Sequence, residues 1–311
     1  MTVAYIFPGQ GSQYAGMGKS LGESFSDARR VFEAADDSLG FSISRLCFEG
    51  PSEQLQLTEN TQPAILAVSI AALSALRSEA GQAPAYVAGH SLGEYSANVA
   101  AGSFGLQAAL RVVKQRGRYM QEAVPIGTGA MAAVIGAELS EIERVCHEAS
   151  QGEVCAPANI NAPNQVVIAG NAGAVDRAME MLQGIARKVV KLNVSAPFHC
   201  RLMMPAQERL ARDLDALEFE DLQFPVITNV DAAPVNSGEQ SRAALVRQVS
   251  SPVRWLESIQ LLLEKGVDVF VEIGPGKVLS GLMRQIDRDV RCLNVADAES
   301  LATARTELGR L

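Results

Sequence analysis

The serine in Gly89-His90-Ser91-Leu92-Gly93 has the surroundings of a nucleophile. Ala85 to Ala88, before it, are apolar enough for a short buried strand, and Glu94 to Ala101, after it, have helical character. A serine at the tip of such a strand–turn–helix holds strained backbone angles, and glycines two residues to either side let strand and helix approach closely. The helix start offers free N–H groups and a partial positive charge where an oxyanion would form on an attacked carbonyl. The expected chemistry is acyl transfer through an ester on Ser91.

A serine hydroxyl needs a base to activate it. The chain has three histidines. His147 lies in a charged helical stretch, Ser140 to Glu148, and reads as solvated. His90 adjoins Ser91, but neighbouring side chains on a tight turn diverge. His199, in Ser195-Ala-Pro-Phe-His-Cys200, is the base by elimination. Cys200 is not taken as a nucleophile, because adjacency in sequence does not bring a thiol face to face with an imidazole.

Two further features bear on the same chemistry. Thr2 to Phe7 reads as a buried strand that runs into Pro8-Gly9-Gln10-Gly11-Ser12-Gln13. A dinucleotide site fits this loop poorly, since its third glycine is misplaced and no acidic residue ends a second strand at the expected distance. A loop after another strand often supplies a second oxyanion-hole N–H, and Gln10 is the candidate. The second feature is Arg116. In the amphipathic stretch Leu106 to Glu122, Ala109, Leu110, Val112, Val113 and Met120 share one face, and Arg116 falls on its edge. A guanidinium there needs a partner. Either an internal Asp or Glu or a substrate carboxylate, gripped by the two-pronged fork, would serve.

These residues must be positioned by an α/β arrangement. Helices are expected near Gly16, over 24–39, from Pro63 as a first-turn proline after the polar capping residues Thr58 to Gln62, and over 106–122. Ala130 to Gly136, a helix 140–149 capped by Ser140, Val154 to Ile160, Gln165 to Ala169, a helix 174–186 and Lys188 to Val194 follow in the order β-α-β-β-α-β, the ferredoxin-like order. This stretch reads as an insert, or else its strands extend one continuous sheet. Beyond it come a helix 202–217, a strand 224–229, a helix 241–249, a helix 255–265, a strand 267–273 and a helix 278–286. Gly274-Pro-Gly-Lys277 lacks the spacing of a phosphate loop.

In its motifs the chain resembles the malonyl-coenzyme A:acyl carrier protein transacylase family, the acyltransferases of fatty-acid synthesis. The matching stretches are Phe7-Pro-Gly-Gln-Gly-Ser-Gln13, Gly89-His-Ser-Leu-Gly-Glu-Tyr95, Gln115-Arg-Gly-Arg-Tyr-Met-Gln-Glu122, Asn159-Ile-Asn-Ala-Pro-Asn-Gln-Val-Val-Ile-Ala-Gly170, Ala196-Pro-Phe-His199 and Glu272-Ile-Gly-Pro-Gly276. The resemblance implies an α/β-hydrolase-like domain, 1–125 and 196–311, with a ferredoxin-like insert, 126–195. It implies that Ser91 becomes malonylated, that His199 takes its proton, that Gln10 and Leu92 supply the oxyanion hole, and that Arg116 pairs with the malonyl carboxylate. Gln248 lies near the site in that family, Asn159 and Asn161 help line the cleft, His90 is a secondary candidate, and Phe198 looks like the version selecting malonyl over methylmalonyl. No acidic partner for His199 stands out; in that family a backbone carbonyl or amide-type group holds the imidazole. Malonyl-CoA and the carrier protein are the implied substrate and partner, with no cofactor and no metal, and an expected monomer. Serine ester or thioester hydrolysis, and transfer in a polyketide or malonate-utilising pathway, remain the competing functions.

Composition sets outer limits. Among 311 residues, 48% are hydrophobic and the net charge is -8, which argues against nonspecific nucleic-acid binding. Five scattered cysteines form no Cys-x-x-Cys pair, so neither a disulfide framework nor a zinc site is expected. The opening residues lack a signal peptide's basic and apolar regions, and the apolar run Ala64 to Leu76 is too short to span a bilayer, so a cytoplasmic location is expected. An acidic carrier protein would need a local basic patch. Arg111, Lys114 and Arg118, or Lys188 and Lys191, are candidates, set against an ordinary solvated surface.

Overall fold

A computed structural model of the chain describes residues 1–194 and 196–310. Ser195, which opens the His199 stretch and closes the expected insert, lies outside the described residues. The fold is mixed α/β and contains two sheets. The larger has the order β10-β9-β1-β2-β7-β8, where β1 is Val3–Phe7, β2 Tyr86–Gly89, β7 Val226–Ile227, β8 Pro234–Val235, β9 Val269–Ile273 and β10 Arg291–Val295. All its pairings are parallel except β7 with β8. All five residues of β1 and of β9 are buried, as expected of apolar strands covered by helices on both faces.

The second sheet is antiparallel, in the order β4-β5-β3-β6, with β3 Gly129–Ile135, β4 Cys155–Ala162, β5 Gln165–Asn171 and β6 Lys188–Lys191. The strands 130–191 therefore form their own sheet and do not continue the larger one. Alternation along β5 explains how it is held. Val166 and Ile168 face a core shared with helices Leu139–Ser150 and Ala172–Met181, while Val167 and Ala169 join the main core on the other face. Strand β4 is tied to the rest of the molecule by Ile160 N–H on Val253 O at 2.9 Å and Val253 N–H on Ala158 O at 2.8 Å.

Several elements differ from the sequence reading. Pro63 lies inside helix Thr58–Ala80, because the polar residues 58–62 form its first turns instead of capping it. The helix is thereby 23 residues long and, alone among the described residues, long and apolar enough to cross a membrane by length and composition; 72% of its most apolar stretch is buried inside the protein. Ser140 lies within helix Leu139–Ser150, whose N-cap is Glu138. β10 and the helix Ala298–Leu308 were not expected. β10 is an edge strand whose Arg291, Cys292 and Asn294 are only half-buried, so it lacks the apolar run of an interior strand.

Candidate active site

The C-terminal ends of β1 and β2, neighbours in the sheet, open onto one cleft, the usual place for a site in a parallel sheet. Its walls, of about 220 Å³ enclosed volume, include Gln10, His90, Ser91, Leu92, Arg116 and His199. Three glycines allow the close packing that makes it. A Cβ on Gly89 would lie 2.0 Å from the Gly93 carbonyl, one on Gly93 2.0 Å from Phe7 O, and one on Gly9 2.3 Å from His90 O. The first loop is thus pressed against the turn at Ser91. That packing brings Gln10 to the cleft beside Leu92, the first residue before helix Gly93–Ala100.

Ser91 and His199 both adopt left-handed backbone angles, φ 51° and 59°, strained for residues with side chains. Ser91 Oγ lies 2.7 Å from His199 Nε2. The other ring nitrogen, Nδ1, is 3.0 Å from the main-chain carbonyl of Gln248, so with Nδ1 as donor Nε2 is free to accept the serine proton. Burial first and Arg116 second hold the His199 imidazole down to about 3, so at neutral pH it is an uncharged acceptor.

Arg116 is 1% exposed. Its Nη1 donates to Gln62 Oε1 at 2.8 Å; its Nη2 donates to Gln248 Oε1 at 2.8 Å and to Ser91 Oγ at 3.2 Å. Among the described residues its guanidinium bonds to amides and the serine hydroxyl and forms no ion pair with a carboxylate, and Nε has no hydrogen-bond partner. Of the two partners open at the sequence level, an internal acid in direct contact is therefore ruled out. Gly117 explains the position: helix Leu106–Glu122 crosses helix Thr58–Ala80 so closely that a Cβ there would sit 2.6 Å from Thr58 O. That crossing sets Arg116 against Gln62.

The remaining expected residues surround this group. His90 turns away from Ser91, with Nε2 2.8 Å from Asn161 Oδ1 and its ring 5.6 Å from that of Trp255. Asn159, Asn161 and Phe198 are each 8% exposed and line the cleft. Gln248 is wholly buried; its Nε2 donates to Ser91 O at 2.9 Å and to Glu94 Oε2 at 2.8 Å.

Three residues of this network are not site candidates from the sequence. Gln62 belongs to the stretch Thr58 to Gln62 that reads as a helix cap, so no local signal marks it as a site residue. Asn229 follows β7, and an amide at the C-terminal end of a parallel strand is a site signal. It accepts Ser91 N–H at 2.7 Å and donates to Gly89 O at 2.7 Å, bracing the strained turn. Glu94 is a carboxylate in the first turn of a helix whose other residues are almost all buried.

Of the basic residues considered for a docking patch, Arg118 pairs with Glu122 at 2.7 Å and Lys191 with Asp176 at 2.5 Å. Lys114 lies 4.3 Å from the Phe41 ring and Arg111 reaches Ser38 at 3.3 Å. Their side chains are engaged within the chain, as on an ordinary solvated surface.

Residues 4–310 match the model of a family described as the acyl transferase domain. The malonyl CoA-acyl carrier protein transacylase of Bacillus subtilis (strain 168) is 45% identical over 304 residues, covering 97% of this chain and 96% of that protein. The protein of the same name from Escherichia coli (strain K12) is 43% identical over 302 residues, covering 97% and 98%. Among solved structures, the malonyl CoA-acyl carrier protein transacylase of Coxiella burnetii superposes with a TM-score of 0.97 at 42% identity, covering 99% and 98%. A malonyl-transacylase solved in complex with its type II PKS acyl-carrier protein superposes with a TM-score of 0.96 at 45% identity, covering 99% and 100%.

Proposed function

This chain belongs to the acyl transferase domain family, and from that premise we propose how its cleft carries out the transfer. The protein is an acyltransferase that moves the malonyl group of malonyl-CoA to the thiol of acyl carrier protein, its transient partner, in fatty-acid synthesis. The observation that carries the assignment of residues is Arg116: a buried guanidinium beside the nucleophile, held by neutral amides and without a carboxylate in contact.

In this reading Ser91 Oγ attacks the thioester carbonyl as its proton passes to His199 Nε2. The imidazolium is stabilised through Nδ1–H by the Gln248 carbonyl. Negative charge on the carbonyl oxygen falls to the N–H groups of Gln10 and Leu92, each worth about 3 kcal/mol in the transition state. Coenzyme A leaves as its thiol, taking the proton, and malonate remains as an ester on Ser91. The carrier thiol then gives its proton to His199 and attacks the same carbonyl, which restores the serine. Arg116 holds the distal carboxylate, a charge-assisted bond of roughly 1.5–3 kcal/mol that favours malonyl over acetyl. Bound malonate also offsets the positive charge that lowers the basicity of His199. Asn159, Asn161, His90 and Phe198 shape the acyl pocket.

We read the larger sheet and its helices, 1–125 and 196–311, as an α/β-hydrolase-like domain. The four-stranded sheet, 126–195, is then its ferredoxin-like insert; the element order β-α-β-β-α-β and the strand order β4-β5-β3-β6 support this. A cytoplasmic location is consistent with five unpaired cysteines. The deciding experiment incubates the protein with malonyl-CoA, with and without carrier protein, and measures malonyl-carrier against free malonate. Malonyl-carrier should dominate. Mainly free malonate would make this a thioesterase, and transfer only to a polyketide carrier would move it to another pathway.

A further inference from the structure

One buried charge in the site has no part in that mechanism. Glu94 is 0% exposed, and its Oε2 accepts from Gln248 Nε2 at 2.8 Å and from Asn229 N–H at 2.9 Å. Its Oε1 has no hydrogen-bond partner among the described residues. Gln248 is the link between two charges. Its Oε1 accepts from Arg116 and its Nε2 donates to Glu94, so the guanidinium and the carboxylate face each other through one amide. An amide in place of Glu94 could accept the same two N–H bonds. A carboxylate costs far more to bury, and what it adds is negative charge.

We propose that Glu94 is the counter-charge of Arg116 in the unacylated enzyme, and that it takes up a solvent proton when a carboxylated acyl group engages Arg116. The inference rests on the assignment of Arg116 to the acyl carboxylate. With the cleft empty, one buried cation and one buried anion balance. When malonate arrives, two anions share one guanidinium, and protonating Glu94 restores neutrality. The new O–H is carried on Oε1, the oxygen without a partner, so neither bond at Oε2 need break. Nothing is oxidised or reduced, and the only bond formed at Glu94 is that O–H.

The surroundings favour such a change. Burial pushes the Glu94 carboxyl up to about 7; the bonds from Asn229 and Gln248 and the charge of Arg116 pull against this, and Asp231 adds to it. Asp231 is itself paired with Arg247, 2.6 Å away, and Arg247 also feels the charge of Glu94. Tyr95, on the same helix, lies under the guanidinium with its ring 5.4 Å from the Arg116 carbon. Arg77, from the packed helix Thr58–Ala80, meets Glu94's helix only at its other end, on Ala100 O. His199 reaches Glu94 only through Gln248.

Glu94 acts through Gln248 on Arg116 and so determines specificity without touching substrate. The test is the ratio of kcat/KM for malonyl-CoA to that for acetyl-CoA across pH. Titration of His199 affects both substrates and largely cancels in this ratio. In the native enzyme the ratio should fall about two- to tenfold from about pH 6 to about pH 8, as Glu94 loses the proton that malonate requires. In Glu94→Gln it should stay near the low-pH value throughout. A ratio that falls equally in both proteins, or that is flat in the native one, overturns the inference. The native protein provides a second measurement that needs no variant. Calorimetry of acylation in buffers of different ionisation enthalpy should show more proton uptake with malonyl-CoA than with acetyl-CoA near neutral pH, and equal uptake refutes it. If the native enzyme does not prefer malonyl at any pH, the assignment of Arg116 fails first; a preference that ignores pH sinks only the role of Glu94.

Discussion

The main-chain carbonyl of Gln248 holds Nδ1 of His199 at 3.0 Å, in the place where hydrolases of this chemistry set a carboxylate. A carbonyl orients the ring by accepting the Nδ1–H hydrogen bond, without adding a negative charge beside it. The side chain of the same residue is left free to grip Arg116. One residue therefore holds His199 through its backbone and Arg116 through its side chain.

Replacing Ser91 by Ala should abolish the acyl-enzyme. Mass spectrometry after incubation with malonyl-CoA checks this; an adduct that persists on the variant would move the nucleophile elsewhere.

Arg116→Ala should reduce malonyl transfer roughly 10- to 150-fold more than acetyl transfer, the equivalent of about 1.5–3 kcal/mol. Competition between the two CoA esters measures the ratio. Equal losses would remove Arg116 from carboxylate recognition.

Gln248→Ala keeps the carbonyl that holds His199 but deletes the amide between Arg116 and Glu94. Discrimination against acetyl should drop, with a smaller fall in acetyl transfer itself. If acetyl transfer collapses as fully as malonyl transfer, the side chain serves the base more than the arginine.

His199 is held below its ordinary value of 6.5 by burial and by Arg116. Its neutral, proton-accepting form therefore persists into acid, and the acid limb of kcat/KM for acetyl-CoA should lie below 6.5. The same shift costs stability. Below 6.5 the unfolded chain binds a proton at this ring that the folded one does not, so this contribution falls as pH drops from 6.5 towards about 3. An acid limb at or above the ordinary value would contradict the burial argument.

Gly93→Ala should disrupt the turn, because its Cβ would meet Phe7 O at 2.0 Å, a main-chain atom of the central strand. Gly281→Ala is the contrasting case. That site lies in helix Val278–Ile286 with nothing within 4 Å of the added methyl, and the change should stabilise by about 0.5–1 kcal/mol. Thermal melts of both variants, with acylation assayed alongside, test the pair.

Much of the site was legible because its signals are local. The turn at Ser91 shows in five consecutive residues, since the steric need for glycine at 89 and 93 is met within the turn and by the strand beside it. Helix 106–122 shows its apolar stripe, and Arg116 on that stripe is anomalous by periodicity alone. The elements that escaped lack such signals. β10, Arg291-Cys-Leu-Asn-Val295, is an edge strand with neither a long apolar run nor strict alternation, and Thr58 to Gln62 look like a cap because their burial comes from a crossing helix.

Sequence alone thus singled out the candidate nucleophile, its candidate base and the odd cation, each a residue type that its neighbours along the chain make conspicuous. The tertiary structure decided what holds them. Ser91 meets His199 across 108 positions, Arg116 meets Gln248 across 132, and Gln248 meets Glu94 across 154. Contacts at such separations leave no periodicity and no spacing rule, because they are set by how helices and loops pack over the ends of a parallel sheet. For that reason the carbonyl that orients His199, the bracing amide of Asn229 and the buried carboxyl of Glu94 emerged only from the folded chain.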